Sequence, residues 1–430
     1  MNILQITPGA GGMYCGNCFR DNALVAGWRA LGHQPLMVPL YLPMTLDEAD
    51  QSGAPIFFGG VNVYLDQALP FFRKAPQWLR SRLDSPRLLK WAGGRAAKTR
   101  AEDVGELTLS MLRGEAGNQS GELDQLIAWL KTQPRPDVIC LSNAMLLGMA
   151  RRLKAELRAP IVCTLQGEDA FIEAMPSEPR EAVWREMTVR GREVDLFVAP
   201  SRYYAERMAA RLEIPTPKLR VVFNGIRLDG YASAPHPPRP PALGFFARMC
   251  AEKGLEMLVD AFILLKQRNR VPDLQLRIGG SCGPTDEPFV EELRGRLRAR
   301  GLLGDVSFHP NLDRAAKIEF LRSLTALSVP AMYGEAFGLY LVEALAAGVP
   351  VVQPRVAAFP EIIAATGGGV CFDPATPQAL ADAAEPLLAE PARARALGET
   401  GRTAARARFG VEHAARELIE AFQALSKPAE

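Results

Sequence analysis

Short β-branched runs alternate with helix-period stretches along almost the whole chain, and the alternation restarts after a proline-rich run at 234–242. Such a pattern leaves few folds open, because each strand must feed a helix that packs back on a parallel sheet. Ahead of the prolines the strand candidates are 3–7, 36–40, 138–141, 161–165, 196–199 and 220–223. After them come 243–247, 274–278, 306–308, 326–329, 349–353 and 370–372. Helical spacing puts Leu146, Met149, Leu153 and Leu157 on one stripe, and Leu418, Ile419, Phe422 and Leu425 on another near the C-terminus. The run APHPPRPPA fits neither helix nor sheet and reads as a linker. The expected architecture is α/β, with two doubly wound parallel-sheet domains facing across a cleft. The first covers 1–233, the linker 234–242, the second 243–408, and a terminal helix 409–430. In such sheets ligands bind at the C-terminal ends of the strands. Only 43–115 breaks the rhythm, with many prolines and glycines among bulky aromatics, and it reads as an insertion in the first domain.

Composition removes several classes of protein. The 430 residues supply material for two or three domains, and 48% apolar with 23% charged residues is ordinary globular usage, not that of a disordered chain. Fifty basic against forty-eight acidic side chains leave +2, which excludes a globally basic nucleic-acid coat; no nucleic-acid partner is expected. Apolar runs fall far short of the ~20 residues of a membrane span. The opening MNILQITPG reads as strand and turn, not as a signal peptide. Seven scattered cysteines do not make a disulfide scaffold, so a cytoplasmic location is expected. The near-neutral average conceals a local excess: from Arg73 to Arg100, nine cations less the one anion Asp84 leave +8, interleaved with Trp78 and Trp91. That mixture suits an anionic membrane surface or an anionic acceptor, and would place the protein peripherally at the inner membrane face. A solvated basic face over an aromatic core is the alternative.

Three segments carry chemistry. In GEAFGLYLVEALAAGVPVV, at 334–352, Glu335 and Glu343 stand eight residues apart around a helix start at Phe337, Gly338 and Leu339. A helix N-terminus offers free N–H groups and a positive dipole to a phosphate, and Gly338 lets the backbone approach. A carboxylate lower on the helix can accept both hydroxyls of a ribose; surface glutamates on an amphipathic helix are the alternative. In FFARMCAEKG, at 245–254, Arg248 and Lys253 follow a strand, where two cations can neutralise a diphosphate leaving group or simply be solvated. In TPGAGGMYCGNC, at 7–18, Gly9 and Gly11 start a dinucleotide fingerprint, but Tyr14 takes its last glycine position and no acidic residue ends the second strand. That counts against a nicotinamide or flavin enzyme. Cys15 and Cys18 have no second pair to complete a zinc site, which leaves structural thiols or redox sensitivity.

Together these segments resemble the retaining family-4 glycosyltransferases of the GT-B fold (glycosyl transferases group 1), in the family's order and over nearly the whole chain except the insertion. VVFNGI, at 221–226, is similar to the family's N-G-V segment. The resemblance implies two facing Rossmann-like domains, the second binding a nucleotide-sugar, with the terminal helix crossing back to the first. It implies that Glu343 holds the ribose and Glu335 the transferred sugar, and that Arg248 and Lys253 bind the diphosphate. Phe337, Gly338 and Leu339 would offer backbone amides, Gly11 and Gly12 would approach the diphosphate from the first domain, and His309, just after the strand 306–308, would contact the base; a loop histidine with no catalytic role is the alternative. Glu361, in FPEII, matches a family turn where a structural role at a helix start is as good an account as ligand contact. Neither cofactor nor metal is implied, and no pair of aspartates one residue apart occurs. The nucleotide-diphosphate sugar is a substrate, and the acceptor, a lipid or a glycan, is not identified.

Two positions depart from the family pattern. Gln166, in TLQGED, stands where the family has histidine, and DVICLSN at 137–143 lacks the family's histidines. Gln166 can hydrogen-bond a sugar but cannot act as a base. Glu168 and Asp169 are nearby carboxylates that either compensate or are solvated. The alternatives to a transferase are a nucleotide-sugar-binding protein without transfer and a GT-B nucleotide-sugar epimerase.

Overall fold

The computed structural model describes residues 1–9, 16–42, 44, 46, 48–68 and 104–425. The chain divides into two compact units, Met1–Gly225 with Ala414–Glu430, and Ile226–His413.

The first unit is built on a six-stranded sheet of order β2-β1-β3-β4-β5-β6, with every pair parallel. Its strands are β1 (Asn2–Pro8), β2 (Gln34–Leu40), β3 (Val138–Leu141), β4 (Ile161–Thr164), β5 (Leu196–Ala199) and β6 (Leu219–Val221). All residues of β3, β4 and β5 are buried, which is why these segments are continuous apolar runs without alternation. The stripe of Leu146, Met149, Leu153 and Leu157 forms on a 3₁₀ stretch, Ala144–Met149, running into the helix Ala150–Leu157, with all four residues buried. Within the irregular segment 43–115 the described residues include helices Gly60–Ala68 and Gly105–Leu112. The basic run at 73–100 lies outside the described residues, as do Gly11, Gly12 and Cys15. The helix Val411–Leu425 returns to this unit, and Phe422 meets Trp28 edge-on at 5.8 Å.

The second unit repeats the plan with the order β12-β11-β10-β7-β8-β9, again all parallel. Its strands are β7 (Ala242–Phe246), β8 (Gln275–Gly280), β9 (Val306–Pro310), β10 (Ala326–Leu327), β11 (Val351–Pro354) and β12 (Gly369–Phe372). The order reverses at β7, the first strand of the unit, so loops leaving β7 and β10 open on a topological switch point. The break between units falls ahead of the proline-rich run, not within it. Residues after Gly225 are tied into the second unit: Val411 N donates to Ile226 O at 2.9 Å, and Arg395 Nη1 donates to Pro235 O at 2.8 Å. No described helix is long and apolar enough to cross a membrane.

Candidate active site

In the second unit the site is assembled by loops at the C-terminal ends of β7 and β10. Past β7 the chain turns through Ala251–Lys253 to Gly254, which caps the helix Leu255–Arg268. Gly254 has φ +73°, and a Cβ there would stand 2.2 Å from the carbonyl oxygen of Pro330. Only glycine lets these two loops touch. That contact brings Lys253, from the β7 loop, to Glu335, from the β10 loop, with Nζ to Oε2 at 2.6 Å.

Glu335 Oε2 accepts two more hydrogen bonds, from Tyr333 OH at 2.7 Å and Tyr340 OH at 2.9 Å. Burial by itself would raise the carboxyl pKa; the Lys253 charge and these hydrogen bonds outweigh it and hold Glu335 below the usual carboxylate range. It is therefore an anion at neutral pH. Backbone hydrogen bonding from Ala358 N to Glu335 O, 3.3 Å, ties the loop to the turn before helix Phe359–Thr366, whose first turn holds Glu361.

Arg248, the other predicted cation, pairs with Asp286: Nε reaches the two carboxylate oxygens at 3.0 and 3.1 Å, and Nη2 reaches Oδ1 at 2.9 Å. These hydrogen bonds raise its pKa further. Asp286 is buried while Arg248 remains 55% exposed, so the guanidinium is anchored on one side and open on the other. Glu343 lies on the helix Leu339–Ala346, capped by Gly338 at φ +89°. Its Oε1 accepts from Lys317 Nζ at 2.8 Å and Tyr231 OH at 3.2 Å. Phe337 is buried against Phe409, ring centroids 6.0 Å apart, so its side chain is core. His309 lies inside β9, not after it, because the strand runs on to Pro310. Its Nε2 is 2.9 Å from Ser307 Oγ and its ring rests on Phe320; burial, then the Arg277 charge, lowers its pKa.

In the first unit, Gln166 follows β4 and exchanges amide hydrogen bonds with Asn224, at 3.0 and 3.4 Å. Glu168 is buried and structural: it accepts from Ala144 N at 2.7 Å and Gln166 N at 2.8 Å, and burial raises its pKa. Asp169 is buried as well and pairs with Arg207 at 2.5 Å. Neither carboxylate is a solvated loop residue. No sequence pattern marks the polar core here, in which Arg20 donates to Asp21, Ser142 and Thr164. Tyr333, Tyr340, Asp286, Lys317 and Tyr231 also join the site without being expected from the sequence. The two tyrosines flank Glu335 at close sequence distance and were the accessible signal; the other three come from distant elements. Among the described residues, no group of three or more His, Cys, Asp or Glu is placed to hold a metal.

The model of the family described as Glycosyl transferases group 1 matches residues 232–404, and that of Glycosyltransferase Family 4 matches 92–229. The chain belongs to the group 1 glycosyltransferases. The chain is 29% identical over 253 residues to D-inositol 3-phosphate glycosyltransferase of Xylanimonas cellulosilytica, covering 54% of this chain and 58% of that one. It is 36% identical over 170 residues to phosphatidyl-myo-inositol mannosyltransferase of Mycobacterium leprae, covering 38% of this chain and 43% of that one. It thus spans under two thirds of the length of both relatives. Among solved structures, Anabaena HepE in complex with UDP and glucose superposes with a TM-score of 0.69 at 16% identity, covering 98% of this chain and 99% of that one. The likeness is one of fold: GT-B, with two Rossmann-like domains.

Proposed function

We propose that this glycosyltransferase moves a hexosyl unit from a nucleoside-diphosphate sugar to an acceptor hydroxyl, with retention at the anomeric carbon and without a metal. The single observation that carries the proposal is the contact of Lys253 with the ionised Glu335 beside a glycine-capped helix start, with an anchored Arg248 on the same β7 loop. A cation for the diphosphate and a carboxylate for the sugar are what the transfer requires in one place. The bond from the anomeric carbon to the β-phosphate oxygen breaks with its electron pair going to the diphosphate. Arg248 and Lys253 stabilise that charge. The acceptor oxygen bonds to the same face of the sugar, and its proton passes to the leaving phosphate oxygen, so no histidine base is needed at Gln166. Glu335 orients the sugar, and the backbone amides of Phe337, Gly338 and Leu339 meet phosphate and sugar. Glu343, with Oε1 held by Lys317 and Tyr231, keeps Oε2 for the ribose hydroxyls. The +8 segment at 73–100 is proposed to bring the chain to anionic lipid, which flotation with acidic and neutral liposomes tests.

A panel of UDP- and GDP-sugars tests the transfer. The expected result is release of the nucleoside diphosphate, with Glu343→Gln weakening binding of that diphosphate about tenfold, about 1.4 kcal/mol, by titration calorimetry. Binding without release points to a sugar-nucleotide-binding protein, an isomerised donor to an epimerase, and unaltered affinity in Glu343→Gln to a wrong ribose contact.

A further inference from the structure

Two tyrosines surround Glu335 that the motif does not explain. Tyr333 stands on the loop two residues before it, and Tyr340 in the first turn of the helix five residues after it. Both hydroxyls meet the same oxygen, Oε2, at 2.7 and 2.9 Å, and Lys253 Nζ reaches that oxygen at 2.6 Å. An ionised carboxylate has about four acceptor sites shared between two oxygens. Three donors therefore saturate Oε2, while no donor among the described residues reaches Oε1. The lysine is confined in the same corner. Its Nζ lies 4.8 Å from the centroid of the Tyr333 ring and 5.5 Å from that of Tyr340, and it also hydrogen-bonds the Tyr333 hydroxyl. An ammonium carries three hydrogens, of which Glu335 and Tyr333 take two. Burial keeps Tyr340 a hydroxyl donor, with its pKa well above the ordinary value.

We infer that Tyr333 and Tyr340 are positioning residues that divide Glu335 between two tasks: Oε2 anchors Lys253, and Oε1 is presented to a hydroxyl of the donor hexose, next to the remaining Lys253 N–H. The inference rests on the proposed transfer from a nucleotide-sugar. It assigns to this corner a sugar hydroxyl that donates a hydrogen bond, so a donor lacking that hydroxyl is discriminated against. Without the tyrosines the carboxylate swings about its terminal torsion, and both oxygens compete for the lysine. Preorganisation of this kind affects the transition state more than ground-state binding.

The test uses Tyr333→Phe and Tyr340→Phe, alone and combined with Glu335→Gln. Turnover of the nucleotide-sugar hydrolysed by the unaltered chain is followed from about pH 4 to 9, with affinity for the free nucleoside diphosphate measured alongside. Each phenylalanine variant is expected to lose about tenfold in kcat while its nucleoside diphosphate Kd stays within about twofold. The acid limb of kcat/KM moves to higher pH by about one unit, because Glu335 has lost a donor to its ionised form. Lys253, Tyr333 and Tyr340 are the titratable groups acting on that carboxylate. In the Glu335→Gln background the same substitutions cost nothing further. An unmoved acid limb, an unchanged kcat, or equal losses in kcat and nucleotide affinity overturns the inference. Tyr333, half-buried, carries the test if Tyr340→Phe lowers the Tm. Absence of any turnover by the unaltered chain defeats the proposed function instead.

Discussion

Glu335 is ionised in a half-buried corner, and its ordinary pKa of 4.5 is lowered because Lys253 and two hydroxyls outweigh the cost of burial. A carboxylate lowered on folding contributes stability above its unfolded pKa and loses it as pH falls through the folded value. Denaturant unfolding from about pH 6 to pH 3 is therefore expected to show a smaller loss of stability in Glu335→Gln than in the unaltered chain. An equal loss means that the contact does not persist in solution. At this scale part of the site was legible in the sequence. Glu335 and Glu343 belong to one local pattern, and Arg248 and Lys253 to another. Asp286 and Lys317 were not legible, since each lies on an element whose distance in space from its partner no spacing records.

Elements meet at two points where a single substitution is decisive. Gly254 lets the β7 loop pass against Pro330, so Gly254→Ala must both strain φ and displace a carbonyl. A loss of about 2 kcal/mol or more is expected, together with weaker nucleotide binding, from denaturation and calorimetry. In the first unit Arg20 and Asp21 are paired with side-chain exposures of 2% and 0%, and Thr7 donates to Asp21 at 2.7 Å. Asp21→Ala leaves the guanidinium buried without its counter-charge and should cost about 3–5 kcal/mol, read as a lowered denaturation midpoint. The CGNC stretch that ends at Cys18 stands out in the sequence by its two thiols, yet the neighbouring Arg20 and Asp21 bind strand ends β1, β3 and β4 together through Thr7, Ser142 and Thr164. Cys18 itself is buried, with Sγ 2.9 Å from Pro8 O. A buried ion pair between adjacent residues has no sequence pattern that marks it.

Across the whole molecule the chain order and the folded units differ. The last helix completes the core of the first unit, with Phe422 on Trp28 and Leu418 and Ile419 buried beside it. Phe422→Ala should remove about 3–5 kcal/mol from a unit whose main stretch is Met1–Gly225, as measured by urea unfolding. A change confined to local helix content, with no shift of midpoint, contradicts that packing. The unit boundary follows the same logic. Prolines at 234–242 mark where regular structure is impossible, but Arg395 on Pro235 decides which unit owns the segment.

The repeated strand–helix alternation by itself determined the two doubly wound parallel sheets, because a buried parallel strand must be an apolar run and must be followed by a crossover. It also determined which helix starts and loops could meet a phosphate. Tertiary structure decided the rest. Which oxygen of Glu335 is occupied, what anchors Arg248, and that His309 stays within a strand paired with β8 all depend on contacts between residues far apart in sequence. Local patterns record the period of an element and the residues at its ends; they do not record the partner that packing places a few ångströms away.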